Sequence, residues 1–405
     1  MRQPRKQSRM SSRFRRSLIA GASALALGLI AALPSALSAS AATTSGIQRI
    51  KLGHVLYQAG VHSNVTRAEA ARAGLAGTTF PQYKAAITVG TKTYTYVIAG
   101  KNPSIKVTNP ASTINVVLVP LVMKFTNGDT WDPTKIDSCD SGASALTRTQ
   151  NSPIVKSQSW TWGGTAIGTG QYTDAFQRAE FWKYARPGAI NPTFGINLSV
   201  TTHSAVTVNV PLADEATGTG SCGNGLVGAA NINWLDPHLQ STVIPSLKVS
   251  PTTVPIFVLH NFVEFVGTPS QCCVIGYHNA FTTTGGVQTY GLGEYDNSRA
   301  FVGLSDIEAL SHEIGEWQND PYTNNPTPPW GNVGQVSGCQ SNLEVGDPLS
   351  GSTLSDTVGG FTYHPQEMAF FSWFYMKTPG TGVHGWYSNQ GTFKVPAAVC
   401  PPGGV

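Results

Sequence analysis

Charge is scarce in this chain. Only 12% of its 405 residues are Asp, Glu, Lys or Arg, against 43 glycines and 26 prolines. That balance argues against a helical intracellular protein and suits a loop-rich extracellular β protein. Cysteines at zinc-finger spacing are missing. Cys139, Cys222, Cys272, Cys273, Cys339 and Cys400 contain no C-x-x-C, and the adjacent Cys272 and Cys273 cannot easily grip one ion together. There is no G-x-S-x-G nucleophile elbow, no Gly-rich phosphate loop and no dinucleotide fingerprint between a strand and a helix. No internal repeat is visible, and beyond residue 41 no run is apolar enough to span a bilayer.

What is present begins with a targeting pattern at 1–41. Arg2, Arg5, Lys6, Arg9, Arg13, Arg15 and Arg16 form a basic stretch, 18–37 is apolar, and Ala39-Ser40-Ala41 is a small-residue cleavage site. A membrane anchor is the competing reading, but Gly21, Gly28 and Pro34 interrupt the run. The expectation is a signal peptide and a secreted chain starting at Ala42. Arg15-Arg16-Ser17-Leu18-Ile19 loosely matches a twin-arginine signal, although a long basic leader gives the same pattern. Removing the seven leader cations turns the formal charge from +4 to −3. No electrostatic case is left for a nucleic acid or an anionic membrane as partner. An even cysteine count in an exported chain favours disulfides, without choosing among pairings.

Period-2 alternation at 85–89, 93–98, 114–125 and 196–210 predicts strands and hairpins, interrupted by a helix over 173–184 with Thr173 as its cap. Gly, Ser and Thr crowd 217–225, and Pro245 and Pro255 follow, which places a soft boundary near Val249. Strands are expected again at 256–259, 274–278 and 288–292. A helix should then start at Ser305, with Glu308 completing a capping box, and end at Pro321. Leu310, Ile314 and Trp317 supply its apolar stripe. The segment 366–376, with Met368, Phe370, Phe371, Trp373 and Phe374, reads as a buried helix.

Chemistry concentrates on that 305–320 helix. His312 and Glu316 stand one turn apart, so an imidazole nitrogen and a carboxylate oxygen can reach one ion. Glu313 lies about 60° around the helix from Glu316, where a general base can touch water beside the ion without ligating it. Residues 300–376 contain no Lys or Arg but hold Asp306, Glu308, Glu313, Glu316, Asp320, Glu344, Asp347, Asp356 and Glu367. Acids gathered without cations are exposed, protonated, or share a bound cation. A bound cation is the leading reading, and a solvated acidic face the bland one. Glu344 is the first choice for third ligand. Asp347 is a candidate to orient His312, His364 is a rival ligand, and His278 is a residue able to line the cleft. One imidazole, two carboxylates and an open position suit Zn2+, with manganese or iron as other candidates, whereas calcium prefers more oxygens.

Strands followed by a helix bearing His312-Glu313, with a later acid downstream, resemble the zincin metallopeptidase plan, Glu316 standing where the second His usually stands. More narrowly, Ala309-Leu310-Ser311-His312-Glu313-Ile314-Gly315-Glu316, Asn319-Asp320-Pro321 and Glu344-Val345-Gly346-Asp347 are similar to segments of the plant phosphate-induced, EXORDIUM-like extracellular proteins, as is Gly276-Tyr277-His278. The resemblance implies an α+β chain: a β-rich N-terminal region at 42–249 followed by a zincin-like metal-binding domain at 250–405. The expected function is a secreted zinc-dependent hydrolase, a peptidase acting on a peptide or protein substrate. The alternative is a non-catalytic extracellular or cell-surface binding protein with a structural metal.

Overall fold

Strands from both halves of the chain meet in one sheet. The structure, a computed structural model, describes residues 46–50, 52, 63–222 and 224–400. The leader expected at 1–41 lies outside them. Seven strands form the central sheet: β1 (Ala111–Lys124), β2 (Thr130–Trp131), β3 (Gly195–Thr202), β4 (Val206–Asn209), β5 (Thr253–His260), β6 (Gly276–Thr283) and β7 (Gly286–Tyr295). Their order is β6-β7-β5-β1-β2, with β3 and β4 both pairing with β1. β5 lies parallel to β1 on one side and to β7 on the other, in a register that sets Thr253 against Asn115 and Ile256 against Gly291. A strand in that position is covered on both faces, so its sequence should be apolar without alternation. Val254 through His260 are accordingly all buried. A second, five-stranded sheet draws on Gln48–Arg49, Glu215–Thr219, Leu226–Asn231, Phe262–Phe265 and Cys272–Val274.

This architecture corrects the expected fold class. Among the described residues strand accounts for 37% and helix for 21%, and the main sheet curves into a half-barrel, whereas zincin folds are helix-rich. The α+β succession of a β-rich portion and then a separate zincin-like domain does not describe it, because β1 and β5, from either side of residue 249, are neighbours in one sheet. Local pattern reads strands but not their partners, and pairing across more than a hundred residues is invisible to it.

Two helices matter for the site. α1 (Tyr172–Glu180) packs on β3, and α2 (Glu308–Asn319) packs on β6 and β7. α1 begins after Gln171 rather than at Thr173 and breaks at Phe181, before a short turn at Trp182–Ala185. At α2, Ser305 does not provide the expected side-chain cap: Ile307 occupies the cap position, and Ser305 contributes only its carbonyl to Glu308 N at 3.2 Å. The stripe Leu310, Ile314 and Trp317 is buried as expected, each such side chain stabilising by roughly 1.5–3 kcal/mol. Every residue of α2 is buried, its polar ones included.

The predicted helix at 366–376 shrinks to Phe371–Phe374. Its aromatic side chains are buried as expected, but its leading backbone is extended and bonded elsewhere: Glu367 N to Ser352 O, Ala369 N to Val345 O and Phe370 N to Tyr387 O, at 2.7–2.8 Å. Partners distant in sequence have displaced the i to i−4 ladder. Two disulfides form, Cys272–Cys273 and Cys339–Cys400, and Cys139 and Cys222 are thiols. Among the described residues no helix is long and apolar enough to cross a membrane.

The approach of α2 to the sheet depends on glycine. A methyl group at Gly293 of β7 would sit 3.1 Å from Leu310 N and 3.2 Å from Leu310 Cα, both helix backbone atoms that cannot step aside alone. Gly293→Ala should therefore lower unfolding free energy by about 1–3 kcal/mol. Urea denaturation measures this, and an unchanged midpoint would mean that the helix does not rest on that strand.

Candidate metal centre

Three elements converge on one buried cluster. His278 comes from β6, which Gly276 opens: a Cβ there would meet Glu313 Cγ at 2.9 Å. His312, Glu313 and Glu316 come from α2. Glu344 and Asp347 come from the segment that follows the Val336–Asn342 strand. All six are at most 3% exposed. One turn of α2 sets His312 Nε2 3.0 Å from Glu316 Oε1. Glu316 Oε1 also accepts from Gly346 N at 3.0 Å and Asp347 N at 3.3 Å, which ties the 344–347 segment to the helix. Gly346 has to be glycine, since a Cβ there would lie 2.3 Å from His312 Nδ1.

The tautomers of both histidines follow from their outer partners. Gln366 Nε2 donates to Gly346 O at 2.6 Å, which fixes the amide and leaves Gln366 Oε1 as the acceptor 2.9 Å from His312 Nδ1. His312 therefore carries its proton on Nδ1, and the Nε2 lone pair points at Glu316 and at Asp347 Oδ1, 3.7 Å away. His278 repeats the arrangement in mirror sense. Its Nε2 lies 2.9 Å from the carbonyl of Asp320 and must donate, so the Nδ1 lone pair faces Glu313 Oε2 at 3.3 Å and Glu316 Oε2 at 3.7 Å. Outer N–H groups tied to oxygen, with inner lone pairs converging, is how metal-binding imidazoles are held.

Protonation agrees with that geometry. Burial, as the largest cause, lowers His278 to about 3 and His312 to about 4, so both imidazoles are neutral and their carboxylate contacts are not ion pairs. Burial first, and then neighbouring carboxylates, push Glu313 and Glu344 well above the usual range. Glu316 is raised in the same way, by burial and then by Asp347, and Asp347 is raised by burial to about 6. Glu313 Oε1 meets no hydrogen-bond donor. Side-chain amides orient the remaining acids: Asn342 Nδ2 on Glu344 Oε1 at 2.9 Å, and Gln340 Nε2 on Asp347 Oδ2 at 3.0 Å. Two trios have ligand atoms within 4.8 Å of one another, His312–Glu316–Asp347 and His278–Glu316–Glu344.

Among the residues singled out from sequence, the structure gathers His312, Glu313, Glu316, Glu344, Asp347 and His278. Asp347 rather than Glu344 completes the trio of His312, and Glu344 joins His278. His364 stands apart: its Nδ1 lies 2.6 Å from Asp306 Oδ2, its side chain is a third exposed, and that bond raises its pKa. Sequence reasoning missed Gln366, which lies in the misread aromatic segment, and the fully buried Glu264 and Glu294, which burial pushes well upward. No local signal marks a glutamate on a central strand as buried. No protein-family model, no curated protein and no solved structure matches the chain.

The acids give the metal-free protein a pH signature. Carboxyls raised in the folded state keep protons that an unfolded chain has already released, so stability falls as pH rises through their folded values. Asp347, at about 6, and Asp320, which burial raises to about 7, lie in that window, and the glutamates extend it upward. The lowered histidines act in the opposite sense, but only up to their ordinary value of 6.5. In the presence of EDTA, the melting temperature should fall steadily from pH 6.5 to 8.5. A flat profile would show that these carboxyls are already ionised and compensated.

Proposed function

We propose that the chain is an exported metal-dependent hydrolase that acts on peptide bonds, with zinc held by the buried histidine and carboxylate cluster. The observation that carries this is the convergence of two imidazole nitrogens, His278 Nδ1 and His312 Nε2, on Glu313, Glu316 and Asp347, with Glu344 in the same buried group as His278 and Glu316. Lone pairs and carboxylates are all acceptors. Once ionised they pack stably only around a cation, and no Lys or Arg occurs in 300–376 to serve. Imidazole and carboxylate suit zinc, and manganese or iron have the same ligand preferences.

Three protein ligands such as His312, Glu316 and Asp347 would leave the fourth coordination position of zinc to a non-protein partner, the ligand count of catalytic zinc. Zinc would supply Lewis acidity there. Glu313 belongs to neither trio and sits beside both imidazoles, so it can accept a proton from a water at that position and return it to a leaving amine. Gln366 and the Asp320 carbonyl hold the imidazoles in the ligating tautomer. The basic leader and A-x-A site support export, and the H-E-x-x-E and E-x-x-D resemblance supports an extracellular setting.

A second reading, a structural metal in an extracellular binding protein, draws on the burial of all six side chains. One carboxylate separates the two. Glu313→Gln keeps shape and leaves both trios intact, so metal content should persist while peptide turnover falls by roughly 10² to 10⁴. His312→Ala should lose metal and activity together. Turnover unchanged in Glu313→Gln would remove Glu313 as the base, and wild-type protein that binds metal yet cleaves no peptide or ester would leave the structural reading.

A further inference from the structure

Glu316 belongs to both trios and turns a different oxygen to each imidazole. Oε1 faces His312 Nε2 at 3.0 Å, and Oε2 faces His278 Nδ1 at 3.7 Å. A carboxylate whose two oxygens are each paired with a different imidazole lone pair has the disposition of a bridge. Glu313 is split in the same way, with Oε2 3.3 Å from His278 Nδ1 and Oε1 4.0 Å from His312 Nε2. Each trio also has its own terminal acid, Glu344 on the His278 side and Asp347 on the His312 side. Those acids are oriented by separate amides, Asn342 and Gln340.

Charge leads to the same count. Glu313, Glu316, Glu344 and Asp347, all at most 2% exposed, carry four negative charges when ionised. One divalent ion would leave two of them uncompensated in a region where a buried charge costs several kcal/mol. Two divalent ions neutralise the set without any help from lysine or arginine.

We propose that this centre is dinuclear: one divalent cation between His278, Glu316 and Glu344, a second between His312, Glu316 and Asp347, with Glu316 bridging them. The inference rests on the metal reading above and fixes its stoichiometry. It also gives Glu313 a place across the pair, next to both positions, where a water shared by two ions would be most acidic. The cations belong to the class that accepts mixed imidazole and carboxylate donors, of which Zn2+ and Mn2+ are the probes.

Metal-free mature protein titrated with Zn2+, and separately with Mn2+, followed by native mass spectrometry and elemental analysis, should saturate at two ions per chain. The Mn2+ form should show the electron paramagnetic resonance of a coupled pair. Glu344→Gln, which keeps shape, and His278→Ala should each saturate at one ion per chain, with an isolated Mn2+ spectrum and unchanged circular dichroism. Wild-type saturation at one ion, with an uncoupled spectrum, would overturn the dinuclear centre while leaving a metal enzyme in place. Wild-type protein that takes up neither metal would overturn both. Should His278→Ala fail to fold, the wild-type count and the Glu344→Gln count still decide.

Discussion

The structure is organised around carboxylates taken out of water. Glu313, Glu316, Glu344 and Asp347 lie within a helix and a segment that bury them almost completely. Withdrawing each ionised acid costs several kcal/mol, more than a buried leucine or isoleucine returns. Hydrophobic packing of Leu310, Ile314 and Trp317 can seat α2 on the sheet, but it cannot hold four like charges beside one another. Those charges require protons or cations, and much of the local architecture serves to keep the group together until one or the other is present. Backbone N–H groups of Gly346 and Asp347 grip Glu316, amides grip Glu344 and Asp347, and oxygen acceptors fix the outer edges of both imidazoles.

Glycine makes that arrangement sterically possible. Gly276 lets Glu313 lie against β6, Gly293 lets the backbone of α2 lie against β7, and Gly346 lets the 344–347 segment pass over the His312 ring. Each is a close approach of the cluster or its helix to another element, and each would be blocked by one methyl group. The abundance of glycine that marks the composition as loop-rich thus has a second use, in bringing polar side chains from three elements within reach of one point.

The residues of the candidate site were more legible in the sequence than the frame that carries them. His312, Glu313 and Glu316 were readable because helical periodicity is local, and Glu344 and Asp347 because their spacing and the missing cations stand out in a charge-poor chain. His278 was visible as a histidine at a strand end, but its approach to α2 depends on the pairing of β6 with β7 and on the packing of α2 over both. Gln366 was hidden in an aromatic stretch that looks helical, since propensity cannot register that Val345, Ser352 and Tyr387 would claim its backbone neighbours. The fold class failed for the same reason: β1 and β5 are each obvious as strands, and nothing near either one states that they are partners. His312, Glu313 and Glu316 stand on a helix packed against two strands of a half-barrel sheet, and what they can do chemically follows from the donor geometry rather than from the architecture.

Anomalous diffraction at the zinc absorption edge, from crystals of protein grown with Zn2+ and without chelator, locates any metal held by the carboxylates. Anomalous density is expected within bonding distance of His312 Nε2, His278 Nδ1 and the oxygens of Glu316, with Gln366 and the Asp320 carbonyl still holding the outer ring nitrogens. No anomalous density there, with the carboxyl oxygens of Glu316 and Glu344 sharing protons at hydrogen-bond distance, would contradict it and leave a cluster neutralised by protons alone.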